Sequence, residues 1–487
     1  MPNSFAFLML FAWPLICVVL FKRLSTERAI LWSILGGYLL LPQGAALDLP
    51  LVPDLDKVSI PNLSAFVICA FVARRKVELL PRAPVAKLLT VLYVLCAIPT
   101  VLTNGDPLIF QVIANSDPIL YIVPAQPGLS LRDLFSFISN QAILLLPLLL
   151  ARQYLSTEEG MRELLVAIML GGLFYSLPAL FEIRFSPQLH TWIYGFFQHS
   201  FDQMMRSGGF RPIVFLPHAL WLAFFFLNAI LATATLARVA EREERTRLFA
   251  AVIYLFVVLI LCKSLASLLY GLVFLPVILF ASPRQQISVA VCCATLAVAY
   301  PILRNTGMIP LDWILEQANA ISPDRAQSLG YRFTNEDALL ARADEKPLFG
   351  WGGWSRNLIR HEETRQILTI PDGRWIIVFG TLGWTGYIAE MGLLATPIAM
   401  MALQMRKMSN SEISPFVAPI SILLAATMVD MLLNATLVPL TWMCAGAVLG
   451  YVERQRYPAK ASKSNKIFSD GSVMQPNRDK SGSRSIL

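Results

Sequence analysis

About thirteen apolar runs, most of them near the roughly 20 residues that a helix needs to cross some 30 Å of hydrocarbon, take up most of this chain. They lie at residues 4–21, 28–46, 58–73, 86–103, 132–150, 163–181, 213–236, 247–262, 265–282, 286–303, 374–403, 414–432 and 435–452. In lipid every backbone N–H and C=O must be satisfied within the spanning structure, so such runs are read as α-helices. The expected fold is therefore all-α: a polytopic helical membrane protein with about 12–13 transmembrane helices in one domain, residues 1–452. The least marked divisions are the run 58–73 and the break near Lys263. Composition agrees, with 15% charged and 56% hydrophobic residues against about 25% charged in soluble proteins.

The first run lacks a basic start and a small-residue cleavage motif, so it is expected to be retained rather than removed as a signal peptide. All seven cysteines fall in apolar runs without a C-x-x-C pair, which argues against disulfides and thiolate metal sites. The formal charge of +8 does not point to nucleic acid, because much of it sits in short connections and in the tail.

Basic connections are retained on the cytoplasmic side of a membrane. Lys22, Arg23 and Arg28, then Arg74 to Lys87, Arg152 with Arg162, Arg238 to Arg247, Arg284, and Arg406 with Lys407 occupy every second connection. That alternation predicts an external amino terminus, a cytoplasmic carboxyl terminus and three longer external loops, about 104–131, 183–212 and 304–373. From Glu453 onward the chain is rich in Ser, Lys and Arg, including Arg454, Arg456, Lys460, Lys463 and Lys466. It reads as a disordered cytoplasmic tail, 453–487, suited to fixing topology or meeting anionic head groups.

The charged chemistry concentrates in the third external loop. Between Arg304 and Asp372 it carries Glu336, Asp337, Glu362, Glu363, Arg325, Arg332, Arg342 and Arg365 among others, while the first loop has only Asp106 and Asp117 as acids. Thr334 followed by Asn335, Glu336 and Asp337 resembles a capping box, predicting a helix start there and a stop before Pro347. Arg342, with Glu345 at helical spacing, suits a solvated salt bridge. PLFGWGGWSRN then sets Trp351 and Trp354 among glycines, a pattern suited equally to sugar-ring faces and to the membrane interface. Gly380, Gly383 and Gly386 recur every three residues, predicting a helix face open to close approach. In the second loop, Gly208 and Gly209 lie between Arg206 and Arg211; an anion contact and a tight turn are both open readings.

In layout and in two of these loops the chain resembles the O-antigen ligase and polysaccharide polymerase superfamily of bacterial inner-membrane proteins. The elements carrying the likeness are Pro347, Leu348, Gly350 and Gly352, followed by Gly383 and Gly386, which match a P-L-x-G-x-G element and a G-x-x-G helix start. Ligases of that family commonly have a histidine eleven residues before the first glycine of G-x-x-G; here that position is Asp372. The chain is thus more similar to exopolysaccharide polymerase-type members.

The resemblance implies a GT-C-like, metal-independent membrane glycosyltransferase without a cofactor, polymerising polyprenyl-diphosphate-linked oligosaccharide units on the periplasmic side. Its partners would be that lipid-linked donor, the bilayer and other polysaccharide assembly and export proteins. By resemblance Arg206, Arg211, Arg332 and Arg342 are candidates for the diphosphate, which rigid guanidinium forks suit. Asp372 is the favoured base, with Glu336 and Asp337 as alternatives. Two other readings stand: ligase-type transfer to another acceptor, and a lipid-linked sugar flippase or transporter. For the latter, charges near spans such as Glu182, His218, Lys263, Glu390 and Asp430 are the features to follow.

Overall fold

The computed structural model describes residues 1–48, 53–112, 121–206, 208–361, 366–409 and 412–457. Asp117, Glu362, Glu363, Arg365 and the tail beyond Tyr457, with Lys460, Lys463 and Lys466, lie outside the described residues. In chain order the helices are α1 (Ser4–Arg23), α2 (Thr26–Leu40), α3 (Ser59–Val67, continued by a π-turn at Ile68–Val72), α4 (Pro84–Leu95), α5 (Ala97–Leu102) and α6 (Leu131–Tyr154). There follow α7 (Glu158–Phe185), α8 (Leu189–Tyr194), α9 (Ala219–Val239), α10 (Arg242–Leu261), α11 (Leu265–Phe280) and α12 (Pro283–Asn305). The last five are α13 (Leu311–Ile321), α14 (Pro323–Asp344), α15 (Arg374–Met405), α16 (Val417–Asp430) and α17 (Pro439–Arg456). Two small antiparallel pairs interrupt this helical chain: β1 (Leu108–Val112) with β2 (Tyr121–Gln126), and β3 (Met205–Arg206) with β4 (Gly209–Phe210).

A helix stands at each apolar run read from the sequence, and Lys263, at φ +54, marks the break between α10 and α11. Among the described residues seven helical stretches, with α4 and α5 counted as one, are long and apolar enough to cross a membrane, from Ser4–Arg23 to Arg374–Met405. Ser59–Val72, Leu265–Phe280 and Val417–Asp430 are apolar but shorter. One boundary needs correction: the tail does not begin at Glu453, because α17 runs on to Arg456 with Glu453 buried.

Hydrogen bonds between connections sort them into two sets. At one end of the bundle Asn3 donates to Ile193 O (2.9 Å), Lys57 to Phe215 O (2.6 Å), Lys263 to Arg206 O (2.8 Å), Lys346 to Asn104 Oδ1 (2.7 Å) and Arg332 to Leu433 O (3.2 Å). At the other end Arg28 meets Glu163 (2.8 Å), Arg152 meets Glu453 (2.7 Å), Arg238 donates to Ala281 O (2.7 Å) and Arg454 to Gln153 O (3.1 Å). Every second connection falls in the same set, as successive passages through one bundle require. The first end is called the loop end below.

The core is organised around α9 and α16, whose side chains are buried almost throughout. Apolar surface alone gives lipid-exposed helices little reason to associate, so close packing at small residues matters. Gly446 and Gly450 of α17 supply it: a Cβ at either would overlap the backbone of α6 at Leu148 and Arg152. At the far end the Arg152–Glu453 pair sits beneath this contact, each side chain 3% exposed, and Glu453 also accepts the N–H groups of Arg82 and Ala83 at the start of α4.

Candidate functional site

The long polar loop is built on α14. This helix begins at Pro323, behind Ser322, and not at Thr334 as the capping-box pattern predicts. Proline is well tolerated at a first helical position, and Thr334, well inside the helix, turns its hydroxyl to Gly330 O (3.0 Å). The residues that resemble a box therefore lie mid-helix, where no free N–H groups remain to be capped. The predicted stop before Pro347 agrees with the last helical residue, Asp344.

Near its middle α14 places Arg332 against the turn between α16 and α17. Arg332 Nη1 donates to Leu433 O (3.2 Å) and to Asn434 Oδ1 (3.4 Å), and its Nε lies 3.3 Å from Asp372. Asn434 in turn donates to Asp430 (2.9 Å), and Thr436 donates to the other oxygen of Asp430 (2.7 Å). Asp430 thus holds the turn that holds the arginine, the satisfied role expected of a carboxylate buried at a helix end.

The β3–β4 hairpin brings in the second loop. Gly208 takes φ +67, and a Cβ at Gly209 would come 2.5 Å from Lys263 Nζ. The Gly-Gly pair therefore makes the tight turn and leaves room for the lysine. It sets Arg206 and buried Arg211 close enough to His218 for their charges, with that of Arg332, to act there. His218 itself caps α9, its Nδ1 accepting Leu220 N–H at 2.9 Å. Three of the four predicted arginines, Arg332 more than a hundred positions from the other two, thus lie within electrostatic reach of His218 at the loop end.

Arg342 does not join them. It lies ten residues further along α14, about 15 Å at helical rise, over the face of Trp351 at 3.4 Å and paired with Glu345 at 2.8 Å. Lys346 stands over the same ring at 4.5 Å, its ammonium held below the usual range by burial and then by Arg356 and Arg342. Trp351 is consequently buried, its Nε1 donating to Arg342 O (2.7 Å), and offers no platform. Trp354 is 53% exposed. The predicted pair of tryptophans thus divides into one packing residue and one available surface.

The three predicted carboxylates also separate. Asp337 pairs with Arg304 at 2.6 Å. Glu336 is buried, receives Trp375 Nε1 at 3.3 Å and lies 3.8 Å from Arg304; burial pushes its carboxyl up to about 7. Asp372 is half-buried beside Arg332, its carboxyl raised by burial against the opposing pull of that arginine. Of the three, Asp372 alone combines access with an arginine of the cluster.

Gly383 does not serve a continuous helix face, as the three-residue spacing predicts. Its backbone is non-helical, at φ +63 and ψ −162, and it breaks α15. In a straight helix residues 374 and 390 would be about 24 Å apart; here Arg374 donates to Glu390 through Nε and Nη2, at 2.7 and 2.5 Å. The short segment from Arg374 to the break is folded back on the long one. The loop segment 347–352 seals the bend: Trp384 N–H reaches Pro347 O (2.8 Å), Thr385 N–H reaches Leu348 O (3.2 Å), Trp351 N–H reaches Gly380 O (2.9 Å) and Gly352 N–H reaches Thr381 O (2.8 Å). The glycine elements quoted from both places are two halves of one joint.

Sequence reasoning missed a second feature, a cavity of about 1090 Å³ between α3, α6 and the α16–α17 turn, lined by Asn62, Asn140, Trp354 and Trp442 among others. A polar residue within an apolar run, such as Asn62 in 58–73 or Asn140 in 132–150, was the available signal. No known family model and no curated protein matches this chain.

Proposed function

We propose that this chain is a membrane-embedded glycosyltransferase of GT-C-like architecture in a bacterial inner membrane, with its loop end in the periplasm. It joins polyprenyl-diphosphate-linked oligosaccharide units into a surface or exported polysaccharide. The observation that carries this reading is that Arg206, Arg211 and Arg332 all lie within electrostatic reach of His218, with Asp372 3.3 Å from Arg332. Guanidinium groups suit a diphosphate through paired charge-assisted hydrogen bonds, and few other ligands repay gathering three of them.

In the reaction the acceptor hydroxyl gives its proton to Asp372 and attacks the anomeric carbon of the donor sugar. The new C–O bond forms as the bond to phosphate breaks, and the electron pair leaves with the lipid diphosphate, whose growing charge the arginines stabilise. The basic connections of the far end favour the cytoplasmic side for it. Contacts with other polysaccharide assembly and export proteins belong to the same reading.

A lipid-linked sugar transporter is the second reading, favoured by the break at Gly383 and the Arg374–Glu390 pair behind it, since broken helices with buried charges recur in transporters. Glycolipids of a deletion strain separate the two. Single repeat units on lipid, exposed outside, are expected for a lost polymerase; the same units confined inside would sink that reading in favour of transport. Long polymer left on its lipid would mark a ligase instead.

A further inference from the structure

The cavity beside the arginine cluster has a chemistry of its own. The turn 431–438 divides them: Leu433 and Asn434 hold Arg332, while Leu437 and Val438 face the cavity. On the opposite wall α6 contributes Ser136, Phe137, Asn140, Ile143 and Leu144, one helical stripe that is polar at its loop-end half. Its rim, at Asp54, Ser130 and Arg132, is exposed.

Asn140 stands on this wall at an accessible position, and its amide both donates and accepts, as a hydroxyl group does. Charge excludes the ligand of the neighbouring site, for the lining carries Asp48, Asp54, Asp56 and Asp133 against Lys57 and Arg132. Lys57 is already engaged with Phe215 O (2.6 Å), and burial pushes its ammonium down to about 7. A diphosphate would meet an acidic wall there.

Trp354 completes the set. It stands on the cavity wall with its indole edge-on to Phe137 at 5.1 Å, while Trp354 and Ser355 hold φ of +55 and +62. Such backbone persists only where the surroundings fix it. Buried Arg356 does so, donating to Trp351 O (3.2 Å), Pro127 O (2.7 Å) and Asp106 O (3.0 Å).

We propose that this cavity binds uncharged oligosaccharide, with Asn140 taking sugar hydroxyls and Trp354 stacking on a ring face. Resting on the function proposed above, the occupant is the acceptor end of the glycan, held next to the arginines that take the donor's diphosphate. Calorimetric titration of the purified full chain with chitohexaose and maltohexaose, and with a heparin hexasaccharide as polyanionic counterpart, tests it. At least one neutral hexasaccharide is expected to bind saturably and the polyanion not to compete. Trp354→Ala and Asn140→Ala, both at accessible positions, should each weaken binding at least tenfold. No neutral saccharide bound at millimolar concentration, preference for the polyanion, or unchanged affinity in Trp354→Ala and Asn140→Ala would each overturn the proposal. Arg332→Ala tells the two readings apart: it is expected to retain saccharide binding while making no polymer. Full polymer in Arg332→Ala with binding intact would remove the donor site and leave the saccharide site standing.

Discussion

The two ends of this bundle each hold an arginine–carboxylate pair, and the pairs differ in what surrounds them. Arg152 and Glu453 at the far end are each 3% exposed, and Glu453 spends its other oxygen on two backbone N–H groups. Arg332 and Asp372 at the loop end are 22% and 33% exposed, and Arg332 reaches His218 together with two more arginines. A sealed pair of this kind joins helices. A half-open pair in an excess of positive charge is left able to receive an anion.

The comparison breaks first at the sealed pair. Glu453→Ala should leave buried Arg152 with only its longer ion pair to Glu78, at 3.4 Å, at a cost of about 3–5 kcal/mol, and lose folded protein along with polymer; normal membrane yield on an immunoblot would contradict it. Arg332→Ala should abolish polymer at unchanged protein level, because a partly exposed arginine at this loop is not holding the fold. Asp372→Asn should slow transfer by about 10²–10⁴-fold, the usual worth of a positioned base, with lipid-linked donor accumulating. In the wild type, transfer should fall as pH drops through the raised Asp372 pKa, since a base must be unprotonated, and this acid limb should be missing from the residual rate of Asp372→Asn. Arg342→Ala should have the smallest effect, about 0.5–2 kcal/mol of stability from its lost place over Trp351, with polymer length and amount preserved. A total loss of polymer in Arg342→Ala would move it back into the donor site.

Helix positions were legible because crossing hydrocarbon demands a length and composition that the runs 4–21 to 435–452 display openly. The position and start of α14 were harder. Thr334 to Asp337 satisfy a local pattern whose meaning depends on whether a helix already precedes it, and Pro323 had supplied that start. Glycine spacing misled for a similar reason: Gly380, Gly383 and Gly386 look like a packing face, yet close helix contact of that kind is made at Gly446 and Gly450, among others, while Gly383 bends the chain. Separation by three residues describes a face only if the helix is intact, and that depends on the distant segment 347–352. The gathering of Arg206 and Arg211 with Arg332, and of Asn62 with Trp442, lay beyond any spacing rule because the partners come from different passages through the bundle. Trp351 and Trp354 were indistinguishable in sequence; Arg342 covers one and leaves the other bare.

The fold-back at Gly383 has a consequence for descent as well as for shape. Arg374 and Glu390 meet only because the helix is broken between them, and each would be stranded by the loss of the other. Neither position is free to drift alone, so in chains of common ancestry the two residues should be inherited, exchanged or discarded together, along with the glycine that lets them meet.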